Sequence, residues 1–324
     1  MIVDSDILTL AAPSRAYRID PTRTLTLRNA FVRDMNRRFR IITAMIRKAV
    51  IQEDVLGLRP FTQQVNTPGR RAFAFPRSAD KVDAFMRWLD QQVEKELLEV
   101  RTFQRVGSSV ENAWTDIYIY DSYKRGVMRA RYELRKAGYA APTIGESGGI
   151  EAILSSPFHV DRVGLLYTRT FSGLKGITAT MDTQISRILA QGIADGDNPV
   201  LLGRKLIATI NGSGMGDLAI TDSLGRFVPA QRRAQMLART EVIRAHHEAN
   251  MQEYANWGVD EFELIAEFKM VTAGDHRVCS RCEAIARQGP YSFDYARGLV
   301  PVHPSCRCVV IPSGKKKVEV EVNE

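Results

Sequence analysis

All four cysteines of this chain fall within thirty residues, as Cys279-Ser-Arg-Cys282 and then His303-Pro-Ser-Cys306-Arg-Cys308, and none occurs elsewhere in the 324 residues. A Cys-x-x-Cys step lets two sulfurs face one centre while the intervening backbone N–H groups point at them. A second compact His/Cys group completes the four soft ligands that a tetrahedral ion takes. Five candidates compete for four positions. The first choice is Cys279, Cys282, Cys306 and Cys308, with His303 as the alternative to one of the last two. Thiolate and imidazole suit zinc, and four protein ligands leave no open position for chemistry, so the expected role is structural. Two disulfides or four free thiols are the rival readings. Clustering at one end fits a metal knot better than a chain-wide set of staples.

A nuclease in which His303 activates water needs a further His or Asn downstream. The candidate there is Asn323, in a polar tail. Mutual reach argues against that arrangement.

Three strings carry a family resemblance: Ala238-Arg239-Thr240-Glu241, Thr272-Ala273-Gly274-Asp275-His276-Arg277-Val278-Cys279-Ser280-Arg281-Cys282, and His303-Pro304-Ser305-Cys306-Arg307-Cys308. In this order they resemble the signature of the phage head-morphogenesis family, the phage Mu protein F-like minor capsid proteins. The likeness covers roughly residues 160–312, and the upstream Leu189-Ala190-Gln191-Gly192-Ile193-Ala194-Asp195-Gly196 shares its look. The resemblance implies a minor head protein of a tailed phage that acts in head assembly. Its implied partners are the portal protein and the major capsid or scaffold proteins, and phage genomic DNA is a further one. It implies residence in the virion, in the head interior or at the portal vertex, after synthesis in the host cytoplasm. The competing class is an enzyme, a nuclease or transferase carried in the head and acting at DNA injection. No toxin or enzyme domain of the kind some relatives carry is recognisable after Cys308.

With 324 residues there is room for about two domains. No apolar run approaches the ~18–20 residues that span a bilayer, so no membrane partner is expected. Asp4 and Asp6 stand where a secretory signal needs basic residues, which points to cytosolic synthesis. The net charge is +8. Ten Lys/Arg between Arg15 and Lys48 face only Asp20 and Asp34. Arg33, Arg37, Arg38, Arg40, Arg47 and Lys48 are therefore candidates for contact with nucleic acid or an acidic partner, against the plainer reading of a solvated helix face.

The fold class expected is mainly α: an N-terminal bundle or arm of long helices, then a helical and small α+β C-terminal module with the Cys/His knot. Phe31, Met35, Phe39, Ile42, Ile46 and Val50 recur at helical spacing, with an end near Gly57 and Pro60. After a loop over 61–76, a second helix opens at Ser78 with Asp80 in its first turn and the stripe Val82, Phe85, Leu89, Val93, Leu97, Val100. A third runs from about Glu111 to Lys136 and carries Trp114, Ile117, Met128 and Tyr132. The domain reading is 1–137 as a basic helical domain, 138–157 as a Gly/Pro/Ser linker, 158–312 as the head-morphogenesis-like domain and 313–324 as a flexible tail.

Further helices are expected over 160–174, 182–194 and 199–210, the last with Pro199 near a first-turn position, and over 229–257. Gly212-Ser213-Gly214-Met215-Gly216 lacks the context of a phosphate-cradling loop and reads as a plain loop. His246 and His247, about 100° apart on one helix, are packing or surface residues. Arg239 and Glu241 are expected in a helix-to-sheet ion pair. The period then falls to two over 262–270, which marks a half-buried strand leading to the knuckle. A short helix over 282–287 and strands over 299–302 and 307–311 follow. Asp275 is expected to orient the ligands from behind, and Arg277 to anchor a contact.

Overall fold

The computed structural model describes residues 20–59, 72–105, 108–212, 228–257 and 267–314. These form a mainly helical protein with two small antiparallel sheets. In chain order the elements are α1 (Leu25–Ile46, prolonged by a π-helical turn Arg47–Gln52), α2 (Ser78–Glu96), β1 (Val100–Arg105), β2 (Ser108–Ala113), α3 (Asp116–Lys136), α4 (Ile150–Leu154), α5 (Pro157–Ala194), α6 (Pro199–Asn211), α7 (Ala230–Asn256), β3 (Glu267–Val271), α8 (Ser280–Gln288), α9 (Phe293–Arg297) and β4 (Val309–Gly314). No helix among the described residues is long and apolar enough to cross a membrane. Pro60, the Ser213–Gly216 stretch, the first part of the strand predicted over 262–270, and the tail from Lys315, including Asn323, lie outside the described residues.

Two compact units emerge, and each is assembled from separate stretches of chain. Unit 1 holds residues 1–30, 116–167 and 239–324; unit 2 holds 31–115 and 168–238. The expected split at 138–157 is not where the chain divides, because that stretch sits within unit 1. The division falls instead inside α1, α5 and α7, which a reading in sequence order cannot reveal.

In unit 2 the predicted stripe of α1 is the core: Phe31, Met35, Phe39, Ile42 and Ile46 are fully buried, joined by Phe85 and Leu89 from α2 and Leu97 at its C-terminal end. Glu111–Ala113 form a strand and not the start of the third helix. Val100↔Ala113 and Arg105↔Ser108 pair across a hairpin, and α3 begins only at Asp116. Thr102, Phe103 and Val110 favour an extended chain on either side of Gly107, which outweighs the helical spacing of Trp114 and Ile117. Trp114 instead closes the hairpin, with its indole N–H donating to the Leu97 carbonyl at 2.9 Å. The two helices predicted over 160–174 and 182–194 are one continuous α5. Gly173 lies in its interior because a Cβ there would come within 2.9 Å of Leu237. Asn198 caps α6 by accepting from the Leu201 N–H at 2.9 Å, with Pro199 beside it.

The basic face of α1 divides on inspection. Arg38 is 5% exposed, donates to Glu96 O and to Glu99 Oε2 at 2.9 Å, and lies 4.1 Å over the Trp114 ring. It is a structural tie, withdrawn from any external partner because the aromatic face and carboxylate desolvate it. Arg37 pairs with Asp34 at 2.6 Å on the surface, whereas Arg33, Arg40, Arg47 and Lys48 are exposed.

Unit 1 is organised by α3 and α7. They approach so closely that a Cβ on Gly126 would lie 2.5 Å from the His246 carbonyl, and Ser122 donates to the Val242 carbonyl at 2.5 Å. A chain of buried polar groups runs beside that crossing. The Tyr123 hydroxyl meets His159 Nδ1 at 2.9 Å, His159 Nε2 meets Glu253 Oε1 at 2.8 Å, and Arg131 Nε donates to Glu253 Oε2 at 2.7 Å. Both ring nitrogens of His159 and both oxygens of Glu253 are thereby bonded, which offsets the cost of burying them.

His246 and His247 are both 1% exposed, so the packing half of their reading holds and the surface half does not. Burial pushes their imidazoles down to about 3 and about 4. Unfolded histidines titrate near 6.5, so the unfolded chain binds more protons between that value and the folded pKa. Stability is therefore expected to fall as pH drops from about 6.5 towards 4, and urea unfolding at a series of pH values would show it. Gly126→Ala is expected to cost at least ~1–3 kcal/mol in the same unfolding assay, since the added methyl meets backbone.

Candidate metal centre

The Cys/His module grows from the short sheet in which β3 pairs antiparallel with β4, Val271 opposite Val309 and Lys269 opposite Ile311. Phe268 and Met270 are buried and Lys269 is exposed, so the period of two holds where the strand is described. Everything between the two strands loops out and returns. Gly274, with φ at 66°, turns the chain into Asp275, and the Val278 N–H closes a turn on the Asp275 carbonyl at 3.0 Å. Cys279 then caps α8, its sulfur accepting from the Cys282 N–H at 3.4 Å. Cys282 follows in the first helical turn and is 2% exposed. The helix predicted over 282–287 is present, slightly longer, as α8.

The second half reaches the same place without a strand. Residues 298–305, where a strand was predicted over 299–302, are turns and bends, because α9 ends at Arg297 and the chain must fold back at once. The strand predicted over 307–311 begins at Val309. The Cys306 N–H bonds the His303 carbonyl at 3.1 Å, and the Ser305 N–H donates to Thr240 Oγ1 on α7 at 2.9 Å.

His303 Nε2 lies 3.3 Å from Cys279 Sγ and 3.3 Å from Cys282 Sγ. Its Nδ1 is 2.9 Å from the Pro304 carbonyl, an acceptor only, so Nδ1 carries the proton and Nε2 directs its lone pair at the sulfurs. A tetrahedral ion with Zn–S near 2.3 Å and Zn–N near 2.0–2.1 Å sets adjacent sulfur and nitrogen roughly 3.5 Å apart. The observed spacing fits. Two groups of donors emerge, Cys279/Cys282/His303 and Cys282/Cys306/Cys308, each with its ligand atoms within 4.8 Å of one another. Cys282 belongs to both. The residues are therefore placed to hold a metal ion. His303, the alternative in the sequence reading, is drawn in as firmly as the sulfurs. No disulfide joins the four cysteines.

The thiols are unequal. The Cys282 backbone N–H lowers Cys279, while burial pushes Cys282 up to about 12. Cys306 is held down as a thiolate mainly by a hydrogen bond from the Cys308 thiol, which correspondingly keeps its own proton. Buried sulfurs of this kind gain from a cation that relieves their mutual repulsion.

Asp275 acts differently from its expected role. Arg307 engages both its oxygens at 2.6 and 2.7 Å, and Arg277 adds a contact at 3.1 Å, which together hold the carboxyl well below the usual carboxylate range. It ties the knuckle loop to the residue between Cys306 and Cys308 and does not buttress a ligand directly. Arg277 keeps 61% of its side chain exposed. Glu241 is buried and pairs with Arg244 of the same helix at 3.4 Å. Sequence reasoning missed the roles of Thr240 and Arg307. Both sit inside the strings quoted above, but their partners lie 65 and 32 residues away.

Comparison with family models, with curated proteins and with solved structures gives no match for this chain. Cys282→Ser, which disrupts both donor groups, is expected to lower bound metal at least ~10-fold in plasma-mass-spectrometric analysis of the purified protein. Retention of full metal content by that variant would exclude the cluster as the binding site.

Proposed function

We propose that this chain is a minor head protein of a tailed phage whose C-terminal module, closed by zinc, serves contact and not turnover. One observation supports the reading most. The three strings behind the family resemblance, spread over some seventy residues, meet at a single place. Thr240 accepts from Ser305, Asp275 clamps Arg307, and His303 faces Cys279 and Cys282. A likeness made of unrelated coincidences has no reason to converge in space.

Zinc is the ion of choice because three or four thiolates with an imidazole suit it better than they suit harder cations. The fourth ligand comes from Cys306 or Cys308, beside Cys279, Cys282 and His303. Such a site, filled by protein, stiffens a module of two short strands and two short helices and leaves no position for substrate. His303 has both ring nitrogens engaged, so it offers nothing to a water-activating nuclease. The module's outer face is the docking platform for the portal, major capsid or scaffold proteins within the head.

Purified phage particles should contain the chain, detected by mass spectrometry after removal of free protein, with cross-links from exposed Lys269 or α8 to a head protein. Absence from particles and from assembling heads would contradict the assignment.

A further inference from the structure

Unit 1 gathers arginines from four distant stretches of chain around the Cys/His module. Arg23 and Arg28 come from the start of α1 and the residues before it, Arg125 from α3, Arg239 from α7, and Arg277 and Arg307 from the two halves of the module. Contacts stitch them together. Arg125 Nη1 donates to the Arg23 carbonyl at 3.0 Å, and Arg28 is buried against Asp20 at 2.8 Å. The Ser305–Thr240 bond seats the helical turn of Arg239 against the loop that carries Arg307, and Arg307 and Arg277 share Asp275. Asp20 pairs with Arg28, and Asp275 pairs with both Arg277 and Arg307.

That balance is unfavourable for the protein alone. Burial lowers the Arg28 guanidinium from its ordinary value; Asp20 opposes this, and repulsion from Arg307 and Arg239 adds to it. Arg28 Nε is buried with no partner, and the half-buried Arg239 side chain has no hydrogen-bond or ion-pair partner among the described residues. Arg125 and Arg277 are exposed. Scattered surface cations would avoid one another; these are held together by the fold. All six are arginine, whose planar fork matches phosphate oxygens two at a time, and none is lysine.

We infer that this arginine cluster beside the Cys/His module is a binding surface for the phosphodiester backbone of duplex DNA, presented mainly through Arg125, Arg239 and Arg277. It recognises charge and not base sequence. It also moves the DNA contact from the α1 face, where Arg38 is consumed inside the fold and Arg37 is paired. The inference does not rest on the head-protein assignment: a chain absent from phage particles would still bind DNA through this surface.

The test uses full-length protein and a short fluorescent duplex, with affinity measured across a range of salt concentrations. Each phosphate neutralised contributes about 0.9 to the slope of log affinity against log salt. Arg125→Gln/Arg239→Gln/Arg277→Gln is expected to reduce that slope by about 2–3 and to weaken binding at least ~10-fold near 0.1 M salt. The matching set on α1, Arg33→Gln/Arg40→Gln/Arg47→Gln, should leave the slope unchanged. Arg239 is half-buried, so the more exposed pair Arg125→Gln/Arg277→Gln is made as well. It should lower the slope by about 2 with an unaltered melting temperature. An unchanged slope in the folded pair and triple, or a loss confined to the α1 set, would overturn the inference. Tighter binding of poly-glutamate than of DNA at matched charge concentration would overturn it too, because the surface would then belong to an acidic protein.

Discussion

The sulfur–imidazole cluster is the constraint on which the C-terminal module turns, because its cysteines are also its core. Cys282, Cys306 and Cys308 are packed in one apolar cluster with Phe268, Met270, Phe293 and Val310, together with Leu134, Ile243 and Tyr254 from the long helices. Sulfur behaves as a small hydrophobe until it ionises. Here hydrogen bonds lower Cys279 and Cys306 while burial and neighbouring sulfur raise Cys282 and Cys308, so a cation that offsets the negative charge would favour the cluster. A shared cation would do that and would crosslink two loops that have little regular structure of their own. Apolar packing and ligand geometry therefore impose the same arrangement, and each would be weakened by loss of the other.

Around that knot the long helices supply rigid ground. The close approach of α3 and α7 at Gly126 lets Ser122 reach a backbone carbonyl of the facing helix, and the Tyr123–His159–Glu253–Arg131 chain lies buried alongside it. Thr240 projects from α7 to the loop before Cys306. The position of the second half of the cluster is thus set by a helix that the knot itself does not contain. The Asp275–Arg307 clamp adds a second tie that acts whether or not the site holds an ion.

What could be read from the letters was what depends on local spacing. The stripe from Phe31 to Val50, the Asn198–Pro199 start of α6, the short helix after Cys279 and the proximity of the Cys/His residues all follow from periodicity, capping chemistry or ligand spacing. Most of the misreadings have one cause, which is tertiary context. Arg38 looks like its solvated neighbours until Trp114 and Glu99 arrive from some sixty to eighty residues away. The helices predicted over 160–174 and 182–194 are a single helix, because the 175–181 stretch between them carries no residue that must end it. The hairpin at 100–113 was hidden because Trp114 and Ile117 happen to fall at helical intervals. The two units could not be found by scanning for a linker, since three of the four passages between them fall inside continuous helices. The choice between His303 and a fourth sulfur was equally beyond spacing rules; the Pro304 carbonyl, by fixing the imidazole tautomer, is what turns a lone pair towards Cys279 and Cys282.

The central claim is that one ion draws the two halves of the module together through sulfur and imidazole. X-ray absorption spectroscopy of the purified native protein at the zinc edge tests it most directly. The account requires about one zinc per chain with a first shell of sulfur near 2.3 Å and one imidazole nitrogen near 2.0–2.1 Å. A protein free of metal, or a metal surrounded only by oxygen and nitrogen, would contradict it.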